Sequence, residues 1–253
     1  MDTWFDKMIT RCPPSPKPYR STPLCRWPRP PFEGVVIGTD ANQEWLLPWW
    51  WDRYQQTNDR PVAFADFGMT PRSRDWCGQR GVILDCRVGL RGWWHKPFAV
   101  LLSPWQRILW MDTDCEVRAS LNSIFDAVPQ GSIGVVRDGG AAINLSAGAR
   151  MYNSGTLLVD HSDPIIAEWA ACVLSDRAKW PGDQDVLSEL IHNTARDRIV
   201  ELSTLMVSVH GRANLGQVVR HWCGRDGKNE IRRQIAGGLT GGPSPSNVPD
   251  KEN

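Results

Sequence analysis

Between residues 32 and 236 the apolar positions follow two alternating periods. Short continuous apolar runs have the length of buried strands. They are Gly34-Val-Val-Ile-Gly38, Arg60-Pro-Val-Ala-Phe-Ala65, Gly81-Val-Ile-Leu84, Arg107-Ile-Leu-Trp-Met111, Ser132-Ile-Gly-Val-Val136, Ser154-Gly-Thr-Leu-Leu-Val159 and Leu205-Met-Val-Ser-Val209. Helical spacing separates them. Residues 43–56 predict a helix that Pro48 kinks or delays, 74–80 a short one, and 95–105 one with Phe98, Leu101 and Leu102 on a face. Residues 165–178 predict an amphipathic helix, and 183–192 another, with Asp183 as its N-cap after Pro181-Gly182. Such alternation implies an α/β fold with a mainly parallel, Rossmann-like sheet and helices on both faces. Neither GxGxxG nor GxxxxGK[ST] occurs, so a dinucleotide fingerprint and a P-loop are unsupported.

The flanks read differently. Residues 1–31 carry Pro13-Pro14, Pro16, Pro18, Pro23, Pro28 and Pro30-Pro31, a density that forbids a helix or central strand and predicts a disordered arm. Residues 237–253 are Gly-, Pro- and Ser-rich and predict a flexible tail. The folded domain is thus expected over 32–236, long enough for one sizeable core. A net charge of +1 gives no reason to expect nucleic acid or an anionic membrane. No apolar run reaches the roughly 18 residues of a membrane span, and residues 1–31 contain no signal-peptide core. Seven scattered cysteines without a CxxC argue against a disulfide framework or zinc site, and the expected setting is cytoplasmic. Fourteen tryptophans predict extensive core packing, with some available as stacking platforms for a sugar.

Candidate chemistry centres on Asp112-Thr-Asp114, two carboxylates delivered by the apolar run 107–111. Hard cations such as Mg²⁺ or Mn²⁺ take oxygen ligands, and open α/β sheets bind ligands beyond the carboxyl ends of their strands. Acidic pairs also follow strands as helix caps or solvated turns, so the pair alone is a weak signal.

Several segments together resemble the family 8 glycosyltransferases, the glycogenin and lipopolysaccharide galactosyltransferase group, with a diverged stretch between Phe67 and Trp94. Ile37-Gly-Thr-Asp40-Ala-Asn42 resembles the opening strand and turn, which implies Asp40 and Asn42 at a uracil and ribose. Lys96 ahead of the DxD resembles the basic residue placed near the donor diphosphate or sugar. Met151-Tyr-Asn153-Ser154-Gly155 resembles the family's Asn-Ala/Ser-Gly strand, implying donor-sugar contacts from Asn153 and Ser154. Gly182-Asp183-Gln184 resembles the Asp-Gln pair, with Asp183 on the donor sugar and Gln184 under the anomeric carbon. His221-Trp-Cys-Gly224-Arg-Asp-Gly-Lys228 resembles the closing HxxGxxK motif, one residue too long and without its Pro-Trp. The resemblance implies His221 as third metal ligand beside Asp112 and Asp114, with Gly224 and Lys228 at the diphosphate. A bulge at Gly227 would absorb the extra residue, and His210 is the rival ligand.

The implied protein is a GT-A type enzyme, a retaining hexosyltransferase dependent on Mn²⁺ or Mg²⁺. It would take a UDP-sugar donor and a carbohydrate, glycolipid or other hydroxyl acceptor. The alternatives are an idle nucleotide-sugar-binding protein on the same fold and a DxD phosphatase of the haloacid dehalogenase type.

Overall fold

The computed structural model describes residues 32–139, 145–209 and 217–237. The expected N-terminal arm, nearly all of the tail and His210 lie outside these residues. Seven strands form the central sheet: β1 (Glu33–Thr39), β2 (Val62–Asp66), β3 (Val82–Asp85), β4 (Arg107–Met111), β6 (Ile133–Arg137), β7 (Tyr152–Asp160) and β8 (Ile199–Glu201). Their order is β3-β2-β1-β4-β7-β6-β8. All neighbours are parallel except β7, which runs against both β4 and β6. The sheet is thus mainly parallel, and its reversed strand enters the site from the opposite direction to β4.

Alternation along the strands divides the core into two layers. Val35 and Ile37 join one apolar cluster and Val36 the other, with Leu109 and Ile108 split the same way. The first layer is covered by α1 (Leu47–Gln55) and α2 (Pro71–Gly78), with α4 (Asn122–Ala127). The second is covered by α3 (Lys96–Leu101), α5 (Pro164–Asp176) and α6 (Asp183–Leu190). Trp49 and Trp50 of α1 are fully buried, and Trp50 stacks on Tyr54 at 4.8 Å. Each such ring removes about 150–250 Å² from water, which is where much of the tryptophan content goes.

Several local expectations needed correction. Pro48 delays the first helix, as one of the two readings had it: residues 44–46 form a 3-10 turn and α1 starts at Leu47. The helix expected over 74–80 starts at Pro71, because the Thr70 hydroxyl accepts the Ser73 amide as an N-cap. The helix expected over 95–105 is only Lys96–Leu101, preceded by a 3-10 turn over Gly92–His95. Asp183 is not the N-cap of α6. Gly182 holds that position, and Asp183 is the first helical residue.

The chain does not end its strands at Val209. A second, three-stranded sheet has the order β5-β10-β9, from β5 (Cys115–Val117), β9 (Val207–Val209) and β10 (Val219–His221). Helix α7 (Gly224–Ala236) follows it. Three-residue strands carry too little periodicity to read from sequence, yet this small sheet carries His221 to the carboxylates.

Candidate active site

The two aspartates sit at the carboxyl mouth of β4, pinned by backbone bonds from two directions. The Asp112 amide donates to the Gly155 carbonyl of β7 at 2.9 Å, and the Asp114 carbonyl accepts the Trp222 amide at 2.9 Å. Asp112 accepts from the Trp110 indole at 3.1 Å and from Lys96 Nζ at 2.9 Å. Asp114, almost fully buried, meets His221 Nε2 at 3.1 Å and Lys228 Nζ at 2.7 Å. His221 Nε2 is also 3.8 Å from Asp112 Oδ2. Two aspartates and a histidine more than a hundred positions away therefore aim oxygen and nitrogen donors at one point.

The orientation of His221 is set behind it. Its Nδ1 lies 2.9 Å from Asn153 Oδ1, which also accepts the Gly155 amide at 3.0 Å. An amide oxygen only accepts, so Nδ1 carries a proton and donates. In the neutral ring Nε2 then holds the lone pair, facing both carboxylates. Gly155 makes room for this: a Cβ there would stand 2.2 Å from His221 Cε1 and 2.7 Å from Nδ1.

Charge is balanced tightly. Burial alone would raise the Asp114 pKa, but His221 and Lys228 outweigh it and hold the carboxyl below its usual range. Burial would lower Lys96 and His221; Asp112 with Asp183, and Asp114 with Asp112, push them upward instead. Cys115 also lies within reach of Asp114 and His221. Burial and the neighbouring carboxylates push its thiol well up, and it donates to the Gly155 carbonyl at 3.4 Å. It is a packed thiol at neutral pH, unlike a ligating thiolate. Two carboxylates and one oriented imidazole fit a divalent ion such as Mn²⁺.

Beside this cluster lie the other expected residues. Lys96 Nζ reaches Ser154 Oγ at 3.0 Å and Asp183 Oδ2 at 3.7 Å. Gln184 Oε1 accepts from Asn153 Nδ2 at 3.1 Å and the Ser154 amide at 3.2 Å. Its Nε2 donates to Asp138 Oδ2 at 3.2 Å, which also takes Asn153 Nδ2 at 3.1 Å. Asp138 is the residue that sequence reading passed over, and Gly155 entered only as part of a motif, without its role beside His221. Asp138 follows a strand in a polar loop, where a single acid carries no signal, and only the fold brings it to two amides.

Asp40 and Asn42 line a cleft of about 270 Å³ together with Lys96, Asp112, Asp114 and Lys228. Asp40 also closes its own turn, accepting the amides of Asn42 at 2.9 Å and Gln43 at 3.2 Å. Gly227 is no bulge. It sits inside α7, where a Cβ would collide with the Trp222 carbonyl at 2.2 Å. The left-handed residue is Gly224, with φ +75°, which turns the chain from β10 into α7 and brings Lys228 back onto Asp114.

No protein-family model matches the sequence, and no curated protein matches it significantly. Solved structures do match in shape. The galactosyltransferase LgtC, crystallised with donor and acceptor sugar analogs, is 16% identical with a TM-score of 0.62, over 83% of this chain and 97% of that one. The glycosyltransferase GlyE of Streptococcus pneumoniae is 15% identical with a TM-score of 0.61, over 78% of this chain and 56% of that one. Mouse xyloside xylosyltransferase 1 is 12% identical with a TM-score of 0.51, over 75% and 97%.

This chain has the GT-A fold. The resemblance read from the motifs is thereby borne out at the level of the fold. Within the GT-A frame eleven of the twelve expected site residues fall in or beside one region, and Gly224 lies at the turn between β10 and α7, although the spacing of the last motif departs from the pattern. Residues Gly224 to Lys228 are helical, so no bulge lies within the motif.

Asp183 offers a pH test of this arrangement. Burial raises its pKa to about 6, with Lys96 opposing only in part and Asp112 adding to the rise. The folded state then binds a proton that the unfolded chain has released above about pH 4. Stability should fall as pH rises from about 4 to 6, by on the order of 1–3 kcal/mol, then level off. Urea unfolding should show this slope in the wild type and a weaker one in Asp183→Asn. Equal slopes would remove Asp183 as its source.

Proposed function

We propose that this chain is a metal-dependent retaining glycosyltransferase that transfers a hexose from a UDP-sugar to a hydroxyl acceptor. The observation that carries the reading is the convergence of Asp112, Asp114 and His221 Nε2 at the mouth of β4 on a GT-A fold. A bound divalent cation supplies Lewis-acid stabilisation of a leaving diphosphate. Lys96 and Lys228, already at the two carboxylates, offer ammonium groups to the same developing charge. Asp40 and Asn42, on the lining of the same cleft, suit a base and ribose that present N–H and hydroxyl groups. Gly224 would let the backbone approach the diphosphate closely.

Asp183 Oδ2 is buried without a hydrogen-bond partner, so a sugar hydroxyl would satisfy it. Asn153 and Ser154 hold Gln184 and Lys96 in place around that sugar. Gln184 is a poor nucleophile: its oxygen already accepts two N–H groups and its nitrogen is tied to Asp138. That favours front-side return through a short-lived ion pair over a covalent intermediate.

Calorimetry with UDP, GDP and CDP, with and without Mn²⁺, tests the reading. UDP should bind most tightly and only with metal. Metal-independent binding, or preference for GDP or CDP, would count against it. His221→Ala should abolish the metal effect, whereas His210→Ala should leave it. Hydrolysis of a UDP-hexose separates the alternatives, since a haloacid dehalogenase-type enzyme would prefer a phosphate monoester and an idle binding protein would cleave neither.

A further inference from the structure

We propose that Trp93 is a stacking platform for a pyranose ring of the acceptor, an inference that rests on the glycosyltransferase reading. Among the described residues Trp93 is the only exposed tryptophan, at 55%. It is also part of the wall of the cleft that contains Asp112 and Asp114. Large rings left in water carry a hydrophobic penalty, and an isolated one on a general surface needs no explanation. One held on the wall of a charged cleft offers an apolar face to something that enters it.

The local fold holds the ring outward. Gly92, at φ +57°, opens the 3-10 turn Gly92–His95. The buried His95 anchors that turn: its Nδ1 lies 3.0 Å from the Gly92 carbonyl and its ring stacks on Phe67 at 4.9 Å. Trp94 packs against the apolar layer, whereas Trp93 stays exposed on the cleft lining.

Position distinguishes the acceptor from the donor. Lys96 and Asp183, placed at the donor's diphosphate and sugar, and the metal-facing Asp114 are buried, while Gln184 and Lys228 are partly exposed. Trp93 stands outside them at the rim. Its indole nitrogen lies 3.8 Å from where a Gly182 side chain would begin, at the head of α6 that carries Asp183 and Gln184. The rim beside the sugar end is where an acceptor must present its hydroxyl. A pyranose has one face of C–H groups, which an indole binds by dispersion and hydrophobic contact while the ring hydroxyls stay hydrated.

Indole ¹⁵N spectra of the full chain, with Trp93→Phe assigning the resonance, test this directly. The probes are the methyl β-glycosides of galactose, glucose and N-acetylglucosamine, at up to about 100 mM with UDP and Mn²⁺ present. The Trp93 signal should shift saturably with at least one of them. Trp93→Ala should weaken that pyranoside about tenfold or more and change UDP affinity by less than about twofold. A Trp93 signal that no glycoside moves overturns the proposal. So does a Trp93→Ala variant that loses UDP affinity instead. Failure of UDP to bind the wild type would sink the donor reading separately, since the pyranoside shift is still read in its absence.

Discussion

Asp114→Asn should abolish sugar transfer and weaken Mn²⁺ binding by about 100-fold or more, in a protein that still folds. Asp114 is the hub of the cluster, meeting His221 on one oxygen and Lys228 on the other from a nearly inaccessible position. Asparagine keeps the shape and removes the charge. The loss has two consequences. The cation loses an anionic ligand, and the buried His221 and the partly exposed Lys228 lose their counter-charge. Leaving a buried pair half-compensated should cost stability, here on the order of 1–3 kcal/mol because the amide oxygen still accepts a hydrogen bond. Asp112→Asn should lose activity equally but cost less stability, since its side chain is 22% exposed. Circular dichroism, urea unfolding and Mn²⁺ titration separate these effects. Near-normal turnover with unchanged metal dependence in Asp114→Asn would remove it from the site.

Gly155→Ala should disable the site without replacing any of its ionisable groups. The added methyl would stand 2.2 Å from His221 Cε1 and 2.8 Å from Asn153 Oδ1, so the imidazole must move or β7 must shift. Interdigitated interiors accommodate such additions at about 1–3 kcal/mol. Displacing Nε2 by an ångström takes it off the point shared with Asp112 and Asp114. Mn²⁺ affinity and UDP-hexose turnover should each fall by about 100-fold. Gly134 is a control in the neighbouring strand β6: a Cβ there meets Val128 at 2.6 Å, so Gly134→Ala should lower stability while leaving metal affinity intact. If Gly155→Ala binds Mn²⁺ like the wild type, His221 is not held by the contact described above.

Much of this fold was legible because its signals are strong and local. Apolar runs such as 34–38 and 107–111 are buried on both faces of a central strand, and burial on both faces forces an unbroken apolar run. Asp112 and Asp114 stood out because they end such a run. Asp40, Asn42, Lys96, Asn153, Ser154, Asp183, Gln184, His221, Gly224 and Lys228 are singled out as candidates only by motif order. None of their residue types is informative in isolation.

What remained illegible depended on contacts between distant residues. The strand β10 has three residues, and its pairing with β5 exists only once residues about a hundred positions apart meet. Gly155 is legible as the end of an Asn-Ser-Gly motif, but its role in leaving room for His221 is not. Asp183 seemed to be a helix cap because an acid after Pro-Gly usually is, but burial beside Lys96 claimed its carboxylate. The sequence by itself determined the α/β alternation and the strand that delivers the carboxylates, since both follow from local periodicity. Only the tertiary structure decided which imidazole faces those carboxylates, which tautomer it takes and which tryptophan stays in water. Those outcomes rest on the reversed strand β7, whose Asn153 and Gly155 meet a histidine 68 positions further along the chain.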